Sequence, residues 1–189
     1  MSRKSAQNYE VKILDTAETM IRSRGYNGVS FREIADAVGV KSSSVHYYYP
    51  TKGALGVAVA RRYTENFLKT LGNPEDASND ANEVLEKVRE LARYSLKQEK
   101  LMCLCGMLGA EVADLPSEVA DQTRSFFLLN SDWLVTALSR TDWGRAQTEK
   151  TLRKAALKAL STMEGALIVA RSLGDPEIFE EIEMDELRA

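Results

Sequence analysis

Apolar side chains recur three and four positions apart along almost the whole chain, which is the spacing of one face of an α-helix. No segment of the sequence sustains the strict alternation of apolar and polar residues that a half-buried strand requires. In the first helix, expected over residues 8–24, Ile13, Ala17 and Ile21 share one face. Gly25 then favours a helix end, because glycine adopts a positive φ without strain. The pattern therefore predicts an all-α protein.

Two short helices joined by a tight turn are predicted next. Ser30 and Glu33 form a capping-box pattern, in which each side chain binds an otherwise unpaired backbone amide at the start of a helix. Gly39 supplies a turn residue, and either Ser42 or Ser43 is expected to cap the third helix. Two short helices with a glycine turn between them are typical of the helix-turn-helix, a motif that binds DNA.

Longer helices are predicted for the rest of the chain. Pro50 ends the third helix and Thr51 is expected to cap a fourth. Turn-forming residues concentrate over residues 72–82, which are the main linker candidate. An almost wholly apolar segment over 101–115 predicts a buried central helix, and a long helix is expected over 145–173. We place a helix-turn-helix domain at residues 1–54 and a second helical domain at residues 55–189.

The long helix over 145–173 carries a stripe of small and apolar residues. The stripe consists of Leu152, Ala155, Ala156, Ala159, Leu160, Met163 and Ala166. Small side chains let another helix approach closely. The stripe therefore predicts a helix contact, either with a second copy of the chain or within its own chain. A second stripe faces elsewhere and consists of Leu157, Ser161, Glu164, Ile168 and Arg171.

The composition is that of an ordinary globular protein, with 189 residues, 44% of them hydrophobic and 28% charged. Two cysteines are too few for a disulfide scaffold, and no apolar run approaches the ~18 residues that indicate a membrane span. The first residues are polar and show no apolar segment of the signal-peptide type. We therefore expect a cytoplasmic protein.

The net charge of −3 is unevenly distributed along the chain. Up to Arg62 there are ten basic and five acidic residues, a net charge of +5, so the remainder carries −8. A basic N-terminal module predicts a polyanionic partner such as DNA. The alternative is chance clustering of charges on solvated helix faces.

The third helix carries most of the candidate DNA-binding side chains. Ser43, His46 and Tyr47 lie three and four positions apart and should face outward, while Val45 and Tyr49 face inward. Hydroxyl groups and an imidazole can reach phosphates or base edges in the major groove. A lysine at the start of the fourth helix is expected at a phosphate, beside the N-terminal amides of that helix. The predicted DNA-binding residues are Ser30, Arg32, Lys41, Ser42, Ser43, Ser44, His46, Tyr47, Tyr48 and Lys52.

The segment RGYNGVSFREIADAVGVKSSSVHYYYPTKGAL, from Arg24 to Leu55, resembles the N-terminal domain of the TetR/AcrR family of repressors. The similar features are a Gly-Tyr pair, an Ile-Ala helix with its Gly-Val turn, an aromatic recognition helix and a lysine at the start of the fourth helix. Lys41 and His46 depart from the family pattern, which leaves the operator sequence open. The resemblance implies a homodimeric repressor of double-stranded operator DNA. It also implies that the C-terminal domain dimerises through its last two long helices and encloses a pocket for a small inducer.

Side chains that orient a ligand in an apolar cavity are expected on otherwise apolar faces of adjoining helices. The candidate inducer-binding residues are Tyr94, Cys103, Met107, Glu111, Phe127, Asn130, Trp133 and Glu164. The alternative for each is a local hydrogen bond or a surface position.

Cys103 has a second predicted role. The segment CLCGMLGAEVADLPSEV resembles the electrophile-sensing, NemR-like branch of the same family, which implies that Cys103 is a redox-sensing thiol. A buried thiol needs a nearby cation or helix start to retain some thiolate. Lys100 would supply a cation if one helix ran continuously through both residues. The alternative is that Cys103 and Cys105 are small core residues.

Two other classes of function compete with a repressor. A cysteine-dependent enzyme needs a base near the thiol, and the sole histidine, His46, lies in the predicted recognition helix. The sequence contains no glycine-rich phosphate loop and no metal-ligand cluster. A helical dimeric adaptor without DNA binding would not need the basic N-terminal module. We expect no enzymatic activity, no metal, no cofactor and no membrane partner.

Overall fold

A computed structural model of the protein describes residues 3–183, with side chains described from residue 8 onward. Within residues 3–183 the chain forms nine α-helices and no β-strand, which confirms the all-α prediction. The first five are α1 (Arg3–Arg24), α2 (Phe31–Val38), α3 (Ser42–Tyr48), α4 (Lys52–Leu71) and α5 (Ala81–Tyr94). The others are α6 (Leu104–Ala110), α7 (Ser117–Ser139), α8 (Glu149–Leu173) and α9 (Ile178–Glu181). None of these helices of residues 3–183 has the length and apolar character that a bilayer crossing requires.

Local sequence signals set the boundary between α1 and α2. α1 ends before Gly25, whose φ of 84° lies in the left-handed region. The predicted capping box is confirmed at the start of α2, where Ser30 N donates to Glu33 Oε2 at 2.9 Å and Glu33 N donates to Ser30 Oγ at 3.3 Å. Two otherwise unpaired amides are therefore satisfied within four residues.

The starts of α3 and α4 are capped differently. Thr51 caps α4 as predicted, since its Oγ1 accepts a hydrogen bond of 3.0 Å from Ala54 N. The cap position of α3 is held by Lys41 in extended backbone, and no side chain among the described residues caps this helix. The prediction that Ser42 or Ser43 caps α3 is wrong, because both residues already belong to its first turn.

The apolar segment over 101–115 is not one continuous helix. A π-helical turn, Ser95–Glu99, follows α5, and Lys100 then adopts a positive φ of 57°. Leu101 N closes this turn by donating to Ser95 O at 2.9 Å. α6 covers only Leu104–Ala110 and is followed by a separate 3-10 turn, Val112–Asp114, so the predicted central helix is shorter than its apolar sequence.

The helices form two compact units. The first, called the N-terminal unit, contains the residues up to Thr64 together with Leu104–Arg124. The second, called the C-terminal unit, contains Glu65–Cys103 and the residues from Ser125 onward. The division into domains near residue 54 stays a prediction. No sequence motif indicated that the segment Leu104–Arg124 groups with the first four helices.

The stripe of small residues on α8 packs inside the C-terminal unit. Ala156 and Ala159 belong to one core with Val84 of α5 and Leu134 of α7. The other stripe residues are buried as well. The interpretation of this stripe as a contact between two copies is wrong, because its side chains are already covered within one chain.

Ion pairs fasten α9 to α5 in the C-terminal unit. Arg93 Nε donates to Glu180 Oε1 at 2.8 Å, and Lys97 Nζ lies 2.9 Å from Glu177 Oε2. Arg89 Nη2 donates to the backbone carbonyl of Phe179 at 3.0 Å. Hydrogen bonding from Arg93, with a further contribution from Lys97, lowers the pKa of Glu180 to about 2. The short last helix is therefore attached by charge as well as by apolar contact.

Candidate nucleic-acid interface

The turn between α2 and α3 has the geometry of a glycine helix stop. Gly39 adopts φ 76° and ψ 36°, which L-residues with a side chain rarely adopt. Val40 N donates to Ala35 O at 2.9 Å, and Gly39 N donates to Asp36 O at 3.3 Å. These paired bonds satisfy the last carbonyls of α2 and let α3 start after three residues. The predicted helix-turn-helix is therefore present.

α3 buries one face and presents the other to solvent. Val45 is fully buried and Tyr49 is nearly so, both in the core of the N-terminal unit. Burial raises the pKa of Tyr49 to about 12. On the opposite face Ser43 and His46 are exposed, and Tyr47 is 81% exposed. The predicted orientation of α3 is confirmed.

The other candidates on and beside α3 differ in accessibility. Lys41 and Ser43 are exposed at the start of the helix. Ser42, Ser44 and Tyr48 are half-buried. A ligand that approaches this face would therefore contact Lys41 and Ser43 before it reaches the half-buried hydroxyl groups.

The start of α2 gives its two candidates different roles. The hydroxyl of Ser30 donates to Glu33 Oε2 at 2.7 Å, so the capping box uses this group within the chain. That hydrogen bond is the main reason why the pKa of Glu33 is lowered, and the guanidinium of Arg24, 2.9 Å from Glu33 Oε1, adds to it. Arg32 is exposed and keeps its guanidinium accessible to solvent.

Lys52, the first residue of α4, is half-buried. Its ammonium lies 4.4 Å from the centroid of the Tyr26 ring, within the range of a cation–π contact. Desolvation lowers the pKa of Lys52, while the carboxylates of Glu111 and Glu33 oppose that change. The lysine is thus positioned at the N-terminus of a helix, where unpaired amides also favour an anion.

Sequence reasoning missed one residue beside α3. A surface cavity of about 610 Å³ is lined by Tyr9, Gly39, Val40, Lys41, Ser43, Ser44, Tyr47 and Tyr48. Tyr9 comes from α1, and Lys12 Nζ lies 6.0 Å from its ring centroid. Tyr9 belongs to no motif, so only the tertiary structure places it beside the recognition helix.

The candidate inducer-binding residues divide between the two units. Met107 and Glu111 belong to the N-terminal unit, and the other six belong to the C-terminal unit. Glu111 binds backbone instead of lining an apolar cavity, because its Oε2 accepts from Tyr26 N at 2.7 Å and from Asn27 N at 3.3 Å. Met107 is half-buried. The structure thus gives Glu111 hydrogen-bond partners within its own chain, in place of a ligand.

Two candidates of the C-terminal unit also differ from the prediction. Tyr94 is 58% exposed, so its ring does not lie in an enclosed cavity. Trp133 is buried, and its Nε1 donates to Gly72 O at 2.8 Å, which fastens α7 to the end of α4. Phe127 is half-buried and packs edge-on against Phe126, with ring centroids 5.3 Å apart.

Buried polar atoms of α7 and α8 fit the ligand-binding prediction better. Asn130 Nδ2 donates to Phe126 O at 2.8 Å, but its buried Oδ1 has no partner among the described residues. The same holds, within that part of the chain, for Ser131 Oγ and Glu164 Oε2. A buried polar atom without a partner costs about 1–3 kcal/mol. Such atoms require an explanation, and a bound polar molecule is one.

Cys103 lies against a carboxyl group. Its thiol hydrogen-bonds to Glu164, whose pKa burial raises and this hydrogen bond lowers, with burial the larger effect. Cys103 and Cys105 are both buried. The predicted alignment of Lys100 with Cys103 on one helix is wrong, because the backbone of Lys100 adopts the left-handed conformation and α6 starts after Cys103. Burial favours the neutral form of Glu164, and the hydrogen bond ties the thiol proton of Cys103 to that carboxyl group.

Comparison with known proteins places the chain among transcriptional regulators. The model of the bacterial regulatory proteins of the tetR family matches residues 13–59. The crystal structure of a TetR transcriptional regulator from Legionella pneumophila is 30% identical, covers 96% of this chain and 94% of that chain, and has a TM-score of 0.82. The biofilm operon icaADBC negative transcriptional regulator IcaR of Staphylococcus aureus is 30% identical over 73 residues, which are 37% of this chain and 39% of that protein.

The crystal structure of the reduced form of E. coli NemR has a TM-score of 0.78 and covers 96% of this chain and 95% of that chain. Its identity of 20% shows a common fold alone, so membership of the NemR-like branch stays a prediction. The Legionella regulator, in contrast, is similar along nearly its whole length, and the residues matched by the family model include the helix-turn-helix. This chain therefore belongs to the TetR family of transcriptional regulators.

Proposed function

We propose that the protein is a homodimeric repressor that binds operator DNA through α3 and the start of α4 and dissociates when a small molecule binds the C-terminal unit. The observation that carries this proposal is the exposed face of α3, where Ser43, His46 and Tyr47 are presented by a helix that Val45 anchors in the core. Their hydroxyl and imidazole groups suit contacts with base edges. The name of IcaR, a negative regulator, supports repression.

Phosphate contacts are assigned to basic residues around this face. Lys41 is exposed at the start of α3 and Arg32 in the first turn of α2. Lys52 joins them at the N-terminus of α4. Such contacts hold a protein in register on the duplex, while the side chains of α3 read the sequence.

The dimer contact is assigned to exposed apolar residues of the last two long helices. α7 exposes Leu128 and Leu129, and α8 exposes Leu157, Ile168 and Val169. Leu157 and Ile168 are eleven positions apart on α8, about three helical turns, so they lie on one face. Exposed apolar patches of this kind mark association surfaces, and a two-fold dimer presents two recognition helices to a near-palindromic operator.

The inducer is expected to be a polar molecule. Asn130 Oδ1, Ser131 Oγ and Glu164 Oε2 are buried polar atoms of the C-terminal unit that lack partners among the described residues. The amide oxygen accepts, the hydroxyl both donates and accepts, and burial favours the neutral form of the carboxyl, which can also donate. A ligand that satisfied them would remove the cost of their desolvation. Operator release by modification of Cys103 stays a prediction, and the hydrogen bond from its thiol to Glu164 is the contact that such a modification would break. The proposed role is regulatory rather than enzymatic, and its place is the cytoplasm, where bacterial DNA lies.

Selection from sheared genomic DNA tests the proposal. The purified protein retains DNA fragments, which are then sequenced, and a reporter fused to the recovered promoter measures repression. The matched control is the triple variant Ser43→Ala, His46→Ala, Tyr47→Ala, whose side chains are exposed and whose folding is checked by thermal unfolding. We expect the wild type to recover a few near-palindromic sites and the variant to recover none of them. Recovery of no preferred sequence by the wild type would contradict the proposal.

A further inference from the structure

Glu111 binds the turn that follows α1. Its Oε2 accepts hydrogen bonds from two consecutive amides, Tyr26 N at 2.7 Å and Asn27 N at 3.3 Å. The carboxylate comes from the segment Leu104–Arg124, which belongs to the same compact unit as α1 to α3. Leu104, Leu108 and Val119 of this segment share one apolar core with those helices. Glu111 therefore anchors the α1–α2 turn from 85 positions away.

Gly25 is what allows this approach. It adopts φ 84°, and a Cβ built on it would lie only 2.2 Å from Glu111 Oε1. Gly174 has a similar φ of 70°, but a Cβ there would meet no atom within 4 Å. Both glycines thus have a positive φ, but only at Gly25 would a side chain also collide with a carboxylate.

The anchored residue Tyr26 in turn supports Lys52. The Tyr26 ring is buried, and Lys52 Nζ lies 4.4 Å from its centroid. A Cβ on Gly56 of α4 would lie 2.8 Å from Tyr26 Cε2, so the ring packs directly on the first turns of α4. The backbone of Tyr26 is therefore held by Glu111, and its ring holds the lysine assigned to a DNA phosphate.

We propose that Glu111 is a positioning residue for DNA binding, which fixes Tyr26 and through it the ammonium of Lys52. The inference rests on the proposed phosphate contact of Lys52. Without the Glu111 anchor, Lys52 should no longer contribute to DNA affinity, although Glu111 itself does not touch DNA. A purely structural role would instead lower stability and weaken DNA binding independently of Lys52.

A double-mutant cycle tests the proposal. The duplex is one that the wild type recovers from genomic DNA, and affinity is measured by fluorescence anisotropy over a range of salt concentrations. Lys52→Ala should lower affinity about threefold to tenfold and reduce the salt slope by about 0.9, as loss of one phosphate contact does. Glu111→Ala should reproduce both changes, and in the Lys52→Ala background it should have no further effect.

The outcomes of the cycle are distinct. Additive losses for Glu111→Ala and Lys52→Ala would overturn the inference and leave the phosphate contact in place. A wild-type salt slope in Lys52→Ala would overturn the phosphate contact and the inference with it.

Two glutamine variants separate the anchor from its charge. Glu111→Gln keeps an amide oxygen that accepts both hydrogen bonds, so its affinity and salt slope should stay close to the wild type. Glu118→Gln removes a carboxylate that also lies at the start of α4, since a Cβ on Gly53 would lie 2.3 Å from Glu118 Oε1. Affinity should not fall in Glu118→Gln. A loss in Glu118→Gln as large as that in Glu111→Ala would overturn the positioning role.

If Glu111→Ala does not fold, the variants Gly25→Ala and Gly174→Ala test the same inference. Gly25→Ala should displace the Glu111 carboxylate and reproduce the reduced salt slope. Gly174→Ala imposes the same backbone strain after α8 and should keep the wild-type slope. Equal salt slopes in the two variants would overturn the inference.

Discussion

The imidazole of His46 packs against the phenyl ring of Phe31, with ring centroids 4.6 Å apart and the ring planes at 61°. Phe31 is the first residue of α2, and His46 lies in the last turn of α3, so this contact joins the two helices of the motif. His46 is exposed on its other side. One side chain therefore packs within the helix-turn-helix and is also available to DNA.

Replacement of His46 by alanine is expected to relax the choice of base pair at one operator position. The loss of discrimination should be roughly 1–3 kcal/mol, as for one good base contact. Competition binding against operator duplexes with single base-pair changes measures it. Phe31→Leu is the control, because it removes the ring beside His46 but no group that faces DNA, and it should weaken all duplexes similarly. An unchanged ranking of duplexes in His46→Ala would show that this residue does not read sequence.

A charge in the exposed apolar face of α8 is expected to separate the dimer. Ile168→Glu would place a carboxylate in the proposed contact, where its desolvation is unfavourable. Sedimentation velocity at micromolar concentration should show a dimer for the wild type and a monomer for the variant. Val11→Glu makes the same change at an exposed valine of α1 and should remain dimeric. A monomeric wild type would contradict the proposed dimer, and a dimeric Ile168→Glu would contradict its location.

Removal of the carboxyl beside Cys103 is expected to speed alkylation of the thiol. Glu164→Gln removes a carboxyl group that binds the thiol proton and that repels a thiolate once it ionises, and a shift of one pKa unit corresponds to about a tenfold change in thiolate. The rate of reaction with N-ethylmaleimide is measured by mass spectrometry in a Cys105→Ser background, so that one thiol reports. An unchanged rate would mean that Glu164 does not control Cys103.

The redox-sensing prediction is checked by operator release. Wild type, Cys103→Ser and Cys105→Ser are treated with N-ethylmaleimide or hypochlorite while bound to the operator. If Cys103 is the sensor, release should be lost only in Cys103→Ser. Release that persists in that variant excludes Cys103, and loss in Cys105→Ser alone would assign the role to Cys105.

Acid is expected to weaken the attachment of α9. The pKa of Glu180 is lowered to about 2, mainly by the hydrogen bond from Arg93, whereas an unfolded glutamate titrates near 4.3. A lowered folded pKa contributes stability above the unfolded pKa, and this contribution is lost as the pH falls from about 4.3 to about 2. At neutral pH, urea unfolding should therefore give a larger free energy of unfolding for the wild type than for Glu180→Gln. This difference should become smaller as the pH falls from about 4.3 to about 2. Glu181→Gln, on the same helix, should show no such narrowing.

Sequence reasoning succeeded where the decisive interactions are local. The capping box of Ser30 and Glu33 spans three positions, and the stop at Gly39 needs only one residue with a positive φ. The inward position of Val45 and the outward position of His46 follow from helical spacing around one apolar side chain. Such features need no knowledge of the rest of the chain.

The contacts that those local patterns make depend on residues far away in the sequence. Periodicity marked the stripe around Ala156 as apolar, but apolar spacing does not distinguish a partner in the same chain from one in a second copy, and the core of the C-terminal unit covers it. The apolar character of residues 101–115 predicted one helix, whereas α6 covers only Leu104–Ala110 and a separate 3-10 turn, Val112–Asp114, follows it. Glu111 meets Tyr26 across 85 positions, a distance at which no local pattern constrains the pairing. Short-range patterns thus predicted most of the helices and the exposed face of α3, because these depend on neighbours within a few residues, whereas the contacts between distant segments form only when the chain folds.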